Sequence, residues 1–163
     1  MDLIFIIVIG ALWGSFANVC IYRLPLEKGV VSGRSFCPKC KKQINWYDNI
    51  PVLSYLLIQG KCRKCKKKIS FQYPLVETIS AFIFLIIYTL YGISLTTPLL
   101  IILGLSFLII FFIDLKHFII PDSLTFPMMF LGFVKSFDPN LNDLFPNYIH
   151  SLIGGIFGYG IIW

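Results

Sequence analysis

Residues 99–123 read LLIILGLSFLIIFFIDLKHFIIPDS. Among the fifteen residues from Leu99 to Ile113, only Gly104 and Ser106 are not large and apolar, and Asp114 closes the run. Asp122 comes eight residues later, directly after Pro121, and a second apolar stretch follows it. A run of this length and character reads as a membrane-spanning helix. A carboxylate at the end of a span is costly and is retained where something uses it. The stretch therefore sets an expectation of fold, an all-α polytopic membrane protein, and poses a question of chemistry at Asp114.

Composition agrees with that reading. The 163-residue chain is 57% hydrophobic and only 13% charged, where soluble domains carry about 25% charged residues. Its mean hydropathy is +0.81. Five apolar segments can be drawn: about Leu3–Tyr22, Tyr73–Tyr91, Pro98–Leu115, Ile119–Val134 and Tyr148–Trp163. The fourth is short and interrupted by Pro121 and Pro127. Helices are expected throughout, because lipid cannot satisfy an open sheet edge. The N-terminus is no secretory signal: Asp2 stands where a signal carries positive charge, and the apolar run continues for a full span. Three regions follow: residues 1–22 as a first transmembrane helix, 23–72 as a loop, and 73–163 as a membrane domain.

The net charge of +6 is concentrated in that loop. Twelve of the fourteen Lys and Arg residues lie between Arg23 and Lys68. Positive charge beside spans marks the cytoplasmic side, a simpler explanation than a nucleic-acid partner, so none is expected. The N-terminus then faces outward, and the turn at Lys116 and His117 faces the cytoplasm. The acidic segment from Ser136 to Asn147 faces outward, with Lys135 an exception at its edge. Gly10 and Gly14, and likewise Gly154 and Gly158, have the spacing of close helix contacts. Asn18 and Glu77 are read as polar groups that face other helices or the membrane boundary.

The loop carries two Cys-x-x-Cys pairs, Cys37/Cys40 and Cys62/Cys65, separated by twenty-one residues. Four thiolates on two tight basic turns suit the tetrahedral preference of structural zinc. The rival readings are a pair of disulfides, which a reducing cytoplasm disfavours, and a redox relay. A loop this small needs such a staple. Cys20, the fifth cysteine, lies in a span and reads as a packed thiol. Between the pairs, Trp46 and Tyr47 suit a membrane interface, and Asp48–Pro51 reads as a turn into an apolar surface helix. That helix could lie on lipid, pack on the spans or help receive a membrane-borne substrate.

For Asp114 the residues alone leave two readings open. It could cap a helix boundary, paired with Lys116 or His117. It could instead be one of two acids that share a proton and activate water for peptide hydrolysis. A zinc-stabilised membrane adaptor without chemistry and a thiol-disulfide membrane carrier are the alternatives from other classes.

Three stretches carry a resemblance: GSFANVCIYRLP from Gly14, CPKCKKQINWYDNIPVLSYLLIQGKCRKCKKKISFQYPLVE from Cys37, and IDLKHFIIPDSLTFP from Ile113. Together, over nearly the whole chain, they resemble the type IV prepilin peptidase family. The resemblance implies a multi-pass aspartyl peptidase of the bacterial cytoplasmic membrane. Such an enzyme cleaves the basic leader of type IV pilus prepilins or type II secretion pseudopilins, then N-methylates the new N-terminus with S-adenosylmethionine. It implies that Asp114 is catalytic, in an Asp-x6-Pro-Asp motif completed by Pro121 and Asp122. Asp122 and Glu77 are supporting candidates; Glu77 could meet the basic leader by its sign. A second catalytic aspartate is implied in a Gly-x-Gly-Asp motif. Here Gly158-Tyr159-Gly160 is followed by Ile161, so the chain is expected to be an N-terminal portion with one of the two acids, inactive by itself.

Overall fold

The computed structural model describes residues 3–30, 35–37, 39–94, 96–135 and 148–162. The acidic segment 136–147, expected on the outer side, lies outside the described residues. Among the described residues six α-helices follow one another: α1 (Leu3–Arg23), α2 (Leu53–Leu57), α3 (Gln72–Tyr91), α4 (Thr96–His117), α5 (Asp122–Lys135) and α6 (Tyr148–Ile162). Short 3-10 turns occupy Leu24–Leu26 and Trp46–Asn49. The described residues contain no strand, only two isolated bridges, Phe36 with Gln43 and Lys61 with Lys68.

The chain divides into two compact units, Met1–Pro121 and Asp122–Trp163. In the first, α1 packs against α3 and α4, and α3 packs against α4. The buried positions show why. On α4 they include Leu105, Leu108, Ile109, Phe112 and Ile113, a stripe at helical spacing. On α3 they include Val76, Glu77, Ser80, Ala81 and Phe84. Ile6, Phe84 and Leu105 form a small core where the three helices meet. The opposite faces are as apolar as the buried ones, with Ile4 75%, Phe82 57% and Phe107 58% exposed. Helices apolar all round are suited to lipid. Among the described residues, Leu3–Leu26, Gln72–Tyr91 and Thr96–His117 are long and apolar enough to cross a membrane. The protein is a helical membrane protein.

The glycine spacing in α1 has a specific partner. A Cβ on Gly14 would lie 2.6 Å from the Glu77 Cα, and one on Gly10 would lie 2.8 Å from the Ala81 Cα. The missing side chains let α1 and α3 approach backbone to backbone. Ser80, fully buried, uses that closeness: its hydroxyl donates to the Gly10 carbonyl at 2.7 Å. Cys20 is buried, as expected of a packed thiol.

In the second unit, α5 has 14 residues and α6 has 15. Pro127 lies inside α5, where it removes one backbone donor from the helix. Among the described residues, nothing lies within 4 Å of a would-be Cβ on Gly154 or Gly155.

Candidate functional site

The two cysteine pairs fold into copies of one turn, displaced by 25 residues. The Cys37 amide donates to the Lys42 carbonyl at 3.0 Å, and the Lys41 amide donates to the Cys37 carbonyl at 2.8 Å. In the second copy the Cys62 amide donates to Lys67 at 2.9 Å, and the Lys66 amide donates to Cys62 at 2.8 Å. Lys41 and Lys66 both take a left-handed backbone, with φ of 56° and 58°. Such turns aim amide groups at the sulfur atoms and favour thiolates.

The four Sγ atoms all lie within 4.8 Å of one another, and Cys37 Sγ is 4.0 Å from Cys65 Sγ. A tetrahedral metal with bonds of about 2.3 Å needs sulfurs about 3.8 Å apart. The cluster is therefore a metal-sized box, and all five cysteines of the chain are free of disulfides. Its thiols do not ionise alike. Hydrogen bonding from the Cys65 amide, helped by Lys64 and the neighbouring thiols, lowers Cys62 from 9.0 to about 7 against the effect of burial. The Lys67 amide favours the Cys65 thiolate, but burial and the crowd of sulfurs around it raise that thiol to about 11. Four sulfur donors leave a metal no open position, so a metal here would hold structure and not activate water.

The connection between the turns is fastened to the second one. Arg63 donates to the Asp48 carboxylate at 2.8 Å and lies over the Tyr47 ring at 5.8 Å. The expected turn and surface helix are both present, as the 3-10 turn Trp46–Asn49 and α2. Gly60 is required where it stands: its φ is +63°, and a Cβ would meet the Tyr55 hydroxyl at 2.8 Å. α2 is apolar and open, with Leu53 61%, Leu56 64% and Leu57 81% exposed.

Glu77 is 8% exposed. Its Oε2 accepts the Val52 amide at 2.7 Å, which ties the loop to the second turn of α3. Asn18 is 5% exposed; its Nδ2 donates to the Tyr73 carbonyl at 3.0 Å, while its Oδ1 has no partner among the described residues. Asn18 and Glu77 both line a cavity of about 620 Å³ between α1, α3 and the cysteine loop. The sequence placed each at a helix face or boundary. It gave no sign that they share one chamber, because no local pattern links positions 59 residues apart.

Asp114 stands in the last turn of α4 with its side chain exposed. Its carbonyl accepts the Phe118 amide at 2.9 Å. An acid at this end of a helix opposes the helix dipole, and among the described residues no ion pair joins it to Lys116 or His117. Asp122 opens α5 and is exposed.

Residues 8–91 match the profile of the bacterial peptidase A24 N-terminal domain, and residues 99–163 match that of the type IV leader peptidase family. Among known proteins, the chain is 41% identical over 143 residues to a prepilin leader peptidase/N-methyltransferase of Vibrio cholerae serotype O1, covering 81% of this chain and 55% of that one. It is 38% identical to one of Myxococcus xanthus, covering 96% and 45%. It is 35% identical to one of Klebsiella pneumoniae, covering 98% and 71%. The chain thus spans about half the length of the first two. No solved structure matches.

Proposed function

The chain belongs to the type IV leader peptidase family, and from that premise we propose that the protein is a membrane aspartic endopeptidase. Its substrates are type IV prepilins or type II secretion pseudopilins. It removes their leader at the cytoplasmic face of a bacterial inner membrane and N-methylates the new N-terminus, with S-adenosylmethionine as donor. The single observation that supports it best is Asp114: an exposed acid at the end of a span, unpaired with its basic neighbours, inside the segment matched to the leader peptidase family.

In this reading Asp114 and a second carboxylate, in the Gly-x-Gly-Asp motif that the resemblance implies, share one proton. The ionised acid takes a proton from water, the hydroxyl attacks the scissile carbonyl, and the protonated acid delivers its proton to the departing amide nitrogen. Asp122 supports the site as the second acid of the Asp-x6-Pro-Asp motif. Glu77 supports it indirectly, by fastening the loop through Val52. The four cysteines hold structural zinc, because an all-thiolate set without an open position suits that ion. The topology is five spans with the N-terminus outside and the cysteine loop in the cytoplasm, in contact with lipid headgroups through its basic residues.

The test is leader cleavage of a prepilin in detergent or proteoliposomes by wild type and Asp114→Asn. Loss of at least a hundredfold in rate is expected of the variant. Equal cleavage by both would remove the assignment.

A further inference from the structure

Helix α2 turns an apolar face away from the protein. Leu53, Leu56 and Leu57 are all exposed and stand at the i, i+3, i+4 spacing that puts side chains on one face. Ile50, three residues earlier and also exposed, extends the patch. The opposite side is engaged. Ser54 is buried and donates to the Ile50 carbonyl at 2.6 Å, and the Tyr55 ring meets Phe71 edge-on at 6.5 Å between centroids. A contiguous apolar patch of this kind marks a contact surface.

Depth identifies what the patch contacts. The 20 residues of α3 match the hydrocarbon thickness of a bilayer, about 30 Å, so the first of them, Gln72, lies at its edge. The Val52 amide, at the start of α2, is held by Glu77, five residues into α3. At about 1.5 Å per residue, Glu77 stands roughly 7.5 Å along the span from that edge. The other end of α2 is tied to the segment that enters α3: the Tyr55 hydroxyl donates to the Ile69 carbonyl at 3.4 Å, and the Ile69 amide donates to the Gly60 carbonyl at 2.7 Å. The short helix is thus fastened beside the first turns of a membrane-crossing one. Helices that lie in a bilayer interface bury their apolar face about 5–10 Å deep, the same level. The surface next to it is of the same kind, since Phe71, just before α3, and Leu75, Phe82 and Ile86 are exposed along one face of that span. Directly after α2 come Lys61, Arg63, Lys64, Lys66, Lys67 and Lys68, every one exposed. Cations flanking an apolar patch suit anionic headgroups.

We infer that α2 is an interfacial anchor and that its occupant is phospholipid. Leu53, Leu56 and Leu57 enter the acyl boundary of the leaflet on the side of the cysteine loop, and the cations of residues 61–68 reach the phosphates of that leaflet. The inference goes beyond the proposed function and needs only the spans, neither the peptidase nor the methyltransferase reading. It gives the loop, which has no core of its own, a third support besides the metal box and the Val52–Glu77 bond.

The experiment uses the full chain in vesicles of phosphatidylglycerol and phosphatidylcholine that carry a trace of phospholipid with a diazirine on its acyl chain. After illumination, peptide mass mapping locates the adducts. Residues 53–57 should be labelled to within about threefold of the exposed faces of α1, α3 and α4. The double variant Leu56→Ser, Leu57→Ser should lower the α2 yield roughly fivefold or more while metal content and labelling of the spans stay as in the wild type. Leaving out phosphatidylglycerol should lower the α2 yield about twofold or more, and an unchanged yield would overturn the role given to the cations. An unlabelled α2 beside labelled spans, or equal α2 labelling in the double variant, would overturn the anchor. So would a photoreactive benzoylphenylalanine in place of Leu57 that crosslinks to a second copy or to another segment of the chain and not to lipid.

Discussion

The Val52 amide donates to Glu77 Oε2 at 2.7 Å, and this bond joins the cysteine loop to a membrane helix. Val52 needs the anchor. Its φ of 59° and ψ of −52° form a sparsely populated positive-φ conformation that costs a β-branched residue of order 1–3 kcal/mol. Glu77→Leu removes the acceptor and leaves a half-buried amide without its partner, at up to about 1–3 kcal/mol. Hydrogen exchange at the α2 amides should then speed up roughly tenfold or more. Val52→Gly removes the backbone strain and should leave exchange unchanged or slower. Slower exchange in Glu77→Leu would show that the bond does not hold the loop.

Glycine position should matter in α1 and not in α6. Gly14→Ala sets a methyl group 2.6 Å from the Glu77 Cα, so the helices must separate. Overpacking of this kind costs about 1–3 kcal/mol, visible as a lower melting temperature in detergent. Gly154→Ala meets open space and should not lower it.

The shared geometry of the two cysteine turns predicts equivalence. Cys37→Ser and Cys62→Ser should each reduce metal content, near one zinc per chain in the wild type, to a similar low level. Chelation should make residues 35–70 sensitive to protease while α1 and α3 stay protected, because the loop lacks a core of its own. Loss from one variant only would contradict the equivalence.

In the metal-free protein, Cys62 should be the thiol that alkylates first. Its folded value, about 7, lies below its ordinary 9.0. Its ionisation therefore stabilises the loop fully above about pH 9, and that contribution is lost as pH falls through about 7. Cys65 runs the other way: raised to about 11, it favours the fold below pH 9 and loses this contribution as pH climbs through 11. Iodoacetamide labelling followed by mass mapping should show a Cys62 midpoint near 7. Equal midpoints at the two positions would contradict the arrangement.

Much of this was legible in the sequence for local reasons. Hydropathy alone marks α1, α3 and α4, because lipid demands uninterrupted apolar length from each. The metal box is legible because Cys-x-x-Cys fixes two ligands on one turn wherever the rest of the chain runs. The turn at Asp48–Asn49 and the short helix after it follow from turn chemistry and an apolar run. What stayed hidden depends on partners distant in sequence. Gly10 and Gly14 announce a close contact, but nothing near them names Ala81 and Glu77 as the surface met. The carboxylate of Glu77 reads as a boundary acid until the fold brings Val52 to it. Asn18 looks like any polar residue in a span until its amide is found to donate to the Tyr73 carbonyl, 55 residues away.

The Ser80–Gly10 bond has a mechanical corollary. It pins the axial offset of α1 against α3, and both helices hand their ends straight to the cysteine loop. The two feet of that arch are thereby kept at a constant separation. Residues inserted between Arg23 and Gln72 are therefore expected to lengthen the loop and leave the spacing of the pillars as it is.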